Sequence, residues 1–192
     1  GQVVDAAMVY GVASLMTMFW GFKDMNMFDP DNPGTTMLDT GAAYYDVYET
    51  KDGKYISVGA IESQFYQEML QRLGLQDDPD FAQQNDRSKW PAMHKKLWDL
   101  FRTKTQAEWN ALLEMTDICY AHVLPMLEAA AHPHNVERGT YVEYEGHLQP
   151  APAPRYSRTP GAIQRPAAHP GQNSKEVLDD LGFSSSEIES LL

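Results

Sequence analysis

Residues 44–70 read YYDVYETKDGKYISVGAIESQFYQEML, and a change of hydrophobic period inside this stretch decides the fold. Up to Ala60, β-branched and aromatic residues flank Lys51-Asp52-Gly53-Lys54. Asp-Gly is a strong hairpin-turn signal, because a tight turn needs residues that tolerate positive φ. Beyond Ile61 the period lengthens. Phe65, Tyr66, Met69, Leu70 and Leu73 share one helical face, and Gly74 is a good stop. A hairpin that runs into a covering helix begins an α+β unit. One acid, Glu62, separates the uncharged run 58–61 from that helix.

Outward from this stretch, WPAMHKKLWDLF (residues 90–101) predicts a second helix, with Met93, Leu97, Leu100 and Phe101 facing inward. Thr105 and Glu108 form a capping box ahead of Trp109, Leu112 and Leu113. Residues 118–124 read as a strand and 125–131 as a short helix. TYVEYEGHLQ (residues 140–149) reads as a second hairpin turning at Glu145-Gly146. Six of the twelve prolines lie between Pro150 and Pro170, which makes that stretch an extended connector. Ser174 opens a helix that Gly182 stops, and Ser184 and Glu187 form another capping box. Upstream, residues 6–22 carry no charge. A membrane helix wants about 20 predominantly apolar residues, and this run is interrupted by Gly11, Ser14, Thr17 and Gly21. It reads as a buried helix with no membrane partner. A helix apolar on all sides must be covered on all sides, so a further domain or a second subunit is expected to cover it, and Gly1 reads as a cut point. The expected organisation is a buried helix and linker over 1–38, a small α+β domain over 39–131, a second linker with the hairpin and Pro-rich connector over 132–170, and a helical tail over 171–192.

The formal net charge of -12 argues against a nucleic-acid partner, since phosphate binding needs a basic surface. The single cysteine, Cys119, rules out an intrachain disulfide and suits a reducing compartment. Its neighbours Ile118 and Tyr120 suggest a buried thiol. The terminal SLL is no peroxisomal S-K-L address, so the cytoplasm is the default. His132 and His134 form an H-x-H pair on a segment that reads as irregular, but no further ligands accompany it, so no metal is expected. Phosphate-loop, dinucleotide and G-x-S-x-G signatures are absent. Six of the ten methionines lie within residues 1–37. They suit core packing, or an adaptable wall for a flexible apolar ligand. Glu62 has two readings as well. It stabilises a helix start near the positive end of the dipole, or it stays ionised there to orient a histidine.

GQVVDAAM, MLDTGAAYYDVYETKDGKYISVGAIESQFY, APAPRYSRTPG and GQNSKEVLDDLGFSSSEIESLL together resemble the C-terminal half of the family III CoA-transferase (CaiB/BaiF) group. Within that group they are most similar to its 2-methylacyl-CoA racemase branch. The resemblance implies interlocked homodimers of a large Rossmann-like domain and a small α+β domain. It also implies an acyl-CoA substrate and no resident cofactor, the CoA thioester being the substrate itself. By the same resemblance, Glu62 matches a glutamate that pairs with a catalytic histidine. Leu38, Tyr45 and Ile61 match acyl-pocket positions, and Met8 and Met37 match a methionine-rich wall. The small domain would face the large domain of the other subunit. Transferases of this family carry a glycine run before the hairpin. This chain reads TTMLDTGAAYY there, which favours racemisation over CoA transfer. An assembly or substrate-wall module without activity of its own is the remaining alternative.

Overall fold

The structure, a computed structural model, describes residues 1–192. Its packing divides the chain into residues 1–124 and 125–192. In the first unit, α1 (Met8–Leu15) and α2 (Thr17–Asp24) precede β1 (Tyr45–Glu49) and β2 (Tyr55–Gly59). Then follow α3 (Ser63–Leu73), α4 (Trp90–Phe101), α5 (Gln106–Leu113) and β3 (Tyr120–Val123). The three strands form an antiparallel sheet of order β1-β2-β3. Tyr45 pairs with Gly59 and Glu49 with Tyr55 across the expected turn, where Gly53 takes φ 72°.

This register sends alternate residues to opposite faces. Tyr48, Ile56, Val58 and Ala60 are buried, while Tyr45, Val47, Tyr55 and Val123 remain open to solvent. Tyr66, Met69 and Leu70 of α3 and Met93, Leu97 and Phe101 of α4 complete the core. Gly74 ends α3 at φ 70°, and the Leu75 N–H returns to the Leu70 carbonyl at 2.8 Å. That closes one of the helix's orphan acceptors. The buried Gln106 shows how polar groups are accommodated. Its side-chain amide donates to Tyr55 O (2.6 Å) and Val123 O (3.2 Å), and its N–H donates to Asp52 Oδ1 (3.0 Å). It therefore ties α5 to the hairpin turn and the sheet edge, and no fully buried side-chain polar atom is left without a partner.

In the second unit, α6 (Met126–Ala131) and α7 (Pro133–Glu137) lead to the hairpin β4 (Tyr141–Tyr144) and β5 (His147–Pro150). Glu145 and Gly146 both take positive φ in its two-residue turn, as that turn class requires. The Arg155 guanidinium donates to the Arg138 and Gly139 carbonyls beyond α7. The tail holds α8 (Ser174–Asp180) and α9 (Ser185–Leu191).

Three expectations are corrected. The apolar N-terminal run is not one continuous helix. It breaks at Met16 (φ -81°, ψ 0°), where the Thr17 hydroxyl bonds back to Ser14 O at 2.7 Å, and no residue of α1 or α2 is buried. Little of this chain packs over it beyond the Phe19–Phe28 ring contact at 5.3 Å. Cys119 is exposed, because a backbone turn at φ 53° takes it off the inward face that holds Ile118. The segment bearing His132 and His134 is not irregular. His132 joins α6 to α7, and His134 lies within α7. No helix is long and apolar enough to cross a membrane.

Candidate functional site at the open end of the hairpin

The site grows from the pairing of Tyr45 with Gly59. A Cβ at Gly59 would lie 3.6 Å from Cys119 Cβ and 3.8 Å from the Tyr45 ring. A side chain at this position would therefore touch both without clashing. Tyr45, Gly59 and Cys119, with Thr40, Asp46 and Ser57, line a surface depression of ≈ 330 Å³. Past Gly59 the ladder continues through the Ala60 N–H to Tyr44 O, 3.0 Å. The Gln84 side chain then donates to Ala60 O (3.1 Å) and Ile61 O (2.8 Å). This fixes the strand exit and holds Ile61 half-buried against the core.

Glu62 is the N-cap residue of α3, exposed, with φ -70° and ψ 142°. Its carbonyl accepts the Tyr66 N–H at 2.9 Å, but its carboxylate makes no capping hydrogen bond. Two other helix-start acids behave differently. Glu108 and Glu187 close capping boxes with Thr105 and Ser184. Bonds from the Thr105 N–H and hydroxyl hold Glu108 below the usual carboxylate range, and bonds from the Ser184 hydroxyl and N–H do the same for Glu187. Glu62 thus sits at the positive end of a helix dipole with its oxygens uncommitted to the helix.

The Cys119 thiol nearby is pushed up by partial burial and by the charges of Glu62 and Asp117. It stays a thiol rather than a thiolate, the opposite of what a nucleophile needs.

The loop before β1 is fixed from within. Asp39 accepts from the Thr36 N–H (2.7 Å), the Thr36 hydroxyl (2.7 Å) and the Gly34 N–H (2.9 Å). Burial alone would raise its carboxyl, but these three bonds outweigh it and hold the group below its ordinary range. The Gly41 N–H closes the loop onto Thr36 O at 2.9 Å. A Cβ at Gly41 would sit 2.4 Å from the Thr35 carbonyl carbon, so no larger residue fits. Met37 and Leu38 ride on this loop, both half-buried.

Tyr45, Ile61 and Glu62 therefore gather at one end of the hairpin, and Met37 and Leu38 occupy the loop that feeds it. Met8 lies apart, 88% exposed on α1. The sequence reading passed over Gln84 and His94. His94 had a signal, since it shares the inward face of α4 with Trp90, Leu97 and Phe101 at helical spacing. Gln84 had none, because it lies outside any periodic element.

The sequence profile of CoA-transferase family III matches residues 1–174, and the chain belongs to that family. Its curated relatives include alpha-methylacyl-CoA racemase from Homo sapiens, to which it is 40% identical over 194 residues, covering 100% of this chain and 50% of that protein. The enzyme of the same name from Mus musculus is 41% identical, with 98% and 49% covered. The fold matches the crystal structure of Rv3272 from M. tuberculosis at TM-score 0.65 and 21% identity, over 90% of this chain and 45% of that one. The chain spans about half the length of the curated relatives it matches.

Proposed function

We propose that this chain forms the acyl-binding and base-supporting half of a 2-methylacyl-CoA racemase. A base takes the proton from the carbon next to the thioester, leaving an enolate. A conjugate acid on the opposite face returns a proton to that carbon. The thioester itself acidifies the carbon, so the reaction calls for no resident cofactor. Leu38, Tyr45 and Ile61, with Met37 and Met8, would wall the acyl chain. Glu62 would accept a hydrogen bond from a histidine of the large domain and hold its tautomer, as acids do in triads. That histidine and an aspartate would come from the other subunit of an interlocked homodimer in the cytoplasm.

The observation that carries this reading is the contrast among three helix-start acids. Glu108 and Glu187 are consumed by capping, while Glu62 is not. Similarity to the two racemases over nearly the whole chain supports the choice of reaction. The test is incubation of the native protein with a 2-methylacyl-CoA in heavy water without any acceptor acid. Deuterium is expected at the 2-position together with loss of optical activity. CoA transfer to an added acid, with no exchange in its absence, would replace racemisation with transfer.

A further inference from the structure

His94 joins two parts of the proposed acyl wall. Its Nε2 lies 3.0 Å from Thr40 O and 3.2 Å from Gly41 O, at the end of the loop that carries Met37 and Leu38. Its Nδ1 lies 3.1 Å from Tyr48 Oη and 3.5 Å from Asp46 Oδ2, both on β1. Carbonyl oxygens only accept, so Nε2 donates. The Tyr48 hydroxyl spends its one proton on Ala43 O, at 2.6 Å in a buried setting. The ring is therefore in hydrogen-bonding contact at both nitrogens, Nε2 with the loop carbonyls and Nδ1 with the Tyr48 hydroxyl and the Asp46 carboxylate. The loop end, the residues leading into β1 and β1 itself are thus laced to one side chain of α4.

We propose that His94 is a positioning residue for acyl recognition, whose ring sets Leu38 and Tyr45 relative to each other across the Thr40–Ala43 connection. The proposal rests on the racemase reading for the identity of the ligand, but the tie itself does not. Substrates whose acyl chain reaches the wall need the tie, and a chain too short to reach it does not.

The experiment compares the native protein with His94→Phe and His94→Gln. Amide hydrogen exchange at Thr36–Gly41 is read together with steady-state kinetics on a long-chain 2-methylacyl-CoA and on 2-methylbutanoyl-CoA. His94→Phe is expected to speed exchange at the Gly41 amide about tenfold, because local opening governs that protection. It should raise KM for the long substrate about tenfold while changing the short one less than about twofold, with kcat for both nearly kept. Glutamine retains a donor toward the carbonyls and should recover part of both effects. Unchanged protection in His94→Phe would overturn the tie. Equal losses on long and short substrates would overturn the role in recognition. A native protein that exchanges no 2-methylacyl thioester would overturn the choice of ligand and leave the Gly41 amide to decide the tie.

Discussion

The hairpin with its helices and the N-terminal arm are both rich in apolar residues, yet they end in opposite states. Between Ala42 and Ile118 the chain buries a continuous core that includes Tyr44, Tyr48, Met93 and Leu97. Between Met8 and Asp24 it buries nothing, and Leu15, Trp20 and Met8 stand open. The difference lies in periodicity. The core segments alternate apolar and polar positions with period 2 or 3.6, so each has one face to hide and one for water. The arm is apolar all round, and no single neighbour within the chain can cover such a helix. Composition gives the demand for burial, while patterning decides whether a chain can meet it alone.

The largest expected effect in this comparison is at Gly41. Gly41→Val drives a side chain into the backbone of Thr35 and Thr36, and should cost about 3 kcal/mol or more in chemical denaturation. A loss within about 0.5 kcal/mol would mean that the loop is not a fixed part of the core unit.

A smaller effect concerns acid. Asp39 titrates below its ordinary value in the folded chain. Its contribution is therefore complete above the unfolded value of 3.8 and fades as pH falls through the lower folded value. Asp39→Asn should narrow the stability difference between about pH 6 and about pH 3 by no more than about 1 kcal/mol, since water screens the site. An unaltered difference would remove the loop from the acid response.

The smallest effect belongs to the arm. Trp20→Ser should move the unfolding free energy of the chain by less than about 0.5 kcal/mol, because an exposed side chain loses little on truncation. A cost near that of a core truncation would show that the chain covers its own arm.

The same contrast explains what was legible in the sequence. Both hairpins, the turn at Asp52-Gly53 and the capping boxes at Thr105 and Ser184 follow from local chemistry, and they form where the pattern puts them. The position of Glu62 at a helix start was legible for the same reason. That it makes no cap bond was not, because a capping box depends on side-chain geometry that one acid does not reveal. Cys119 misled because its apolar neighbours predict burial, while a positive φ turns it outward. That the apolar arm finds no cover within the chain was legible from its lack of a polar face, whereas its break into two helices at Met16 was not. The bonds of Gln84 and His94 reach across 23 to 54 residues, a separation that no local pattern encodes.

The most direct measurement is the rate of α-proton exchange in heavy water for native protein and Glu62→Gln, each over a range of 2-methylacyl-CoA concentrations. Glutamine keeps the size of the side chain and removes its charge. If Glu62 supports the proton-transferring histidine, kcat falls at least about tenfold while KM changes by less than about threefold. A variant that exchanges at the native rate would contradict the account, and would return Glu62 to the stabilising role that its position at the start of α3 also allows.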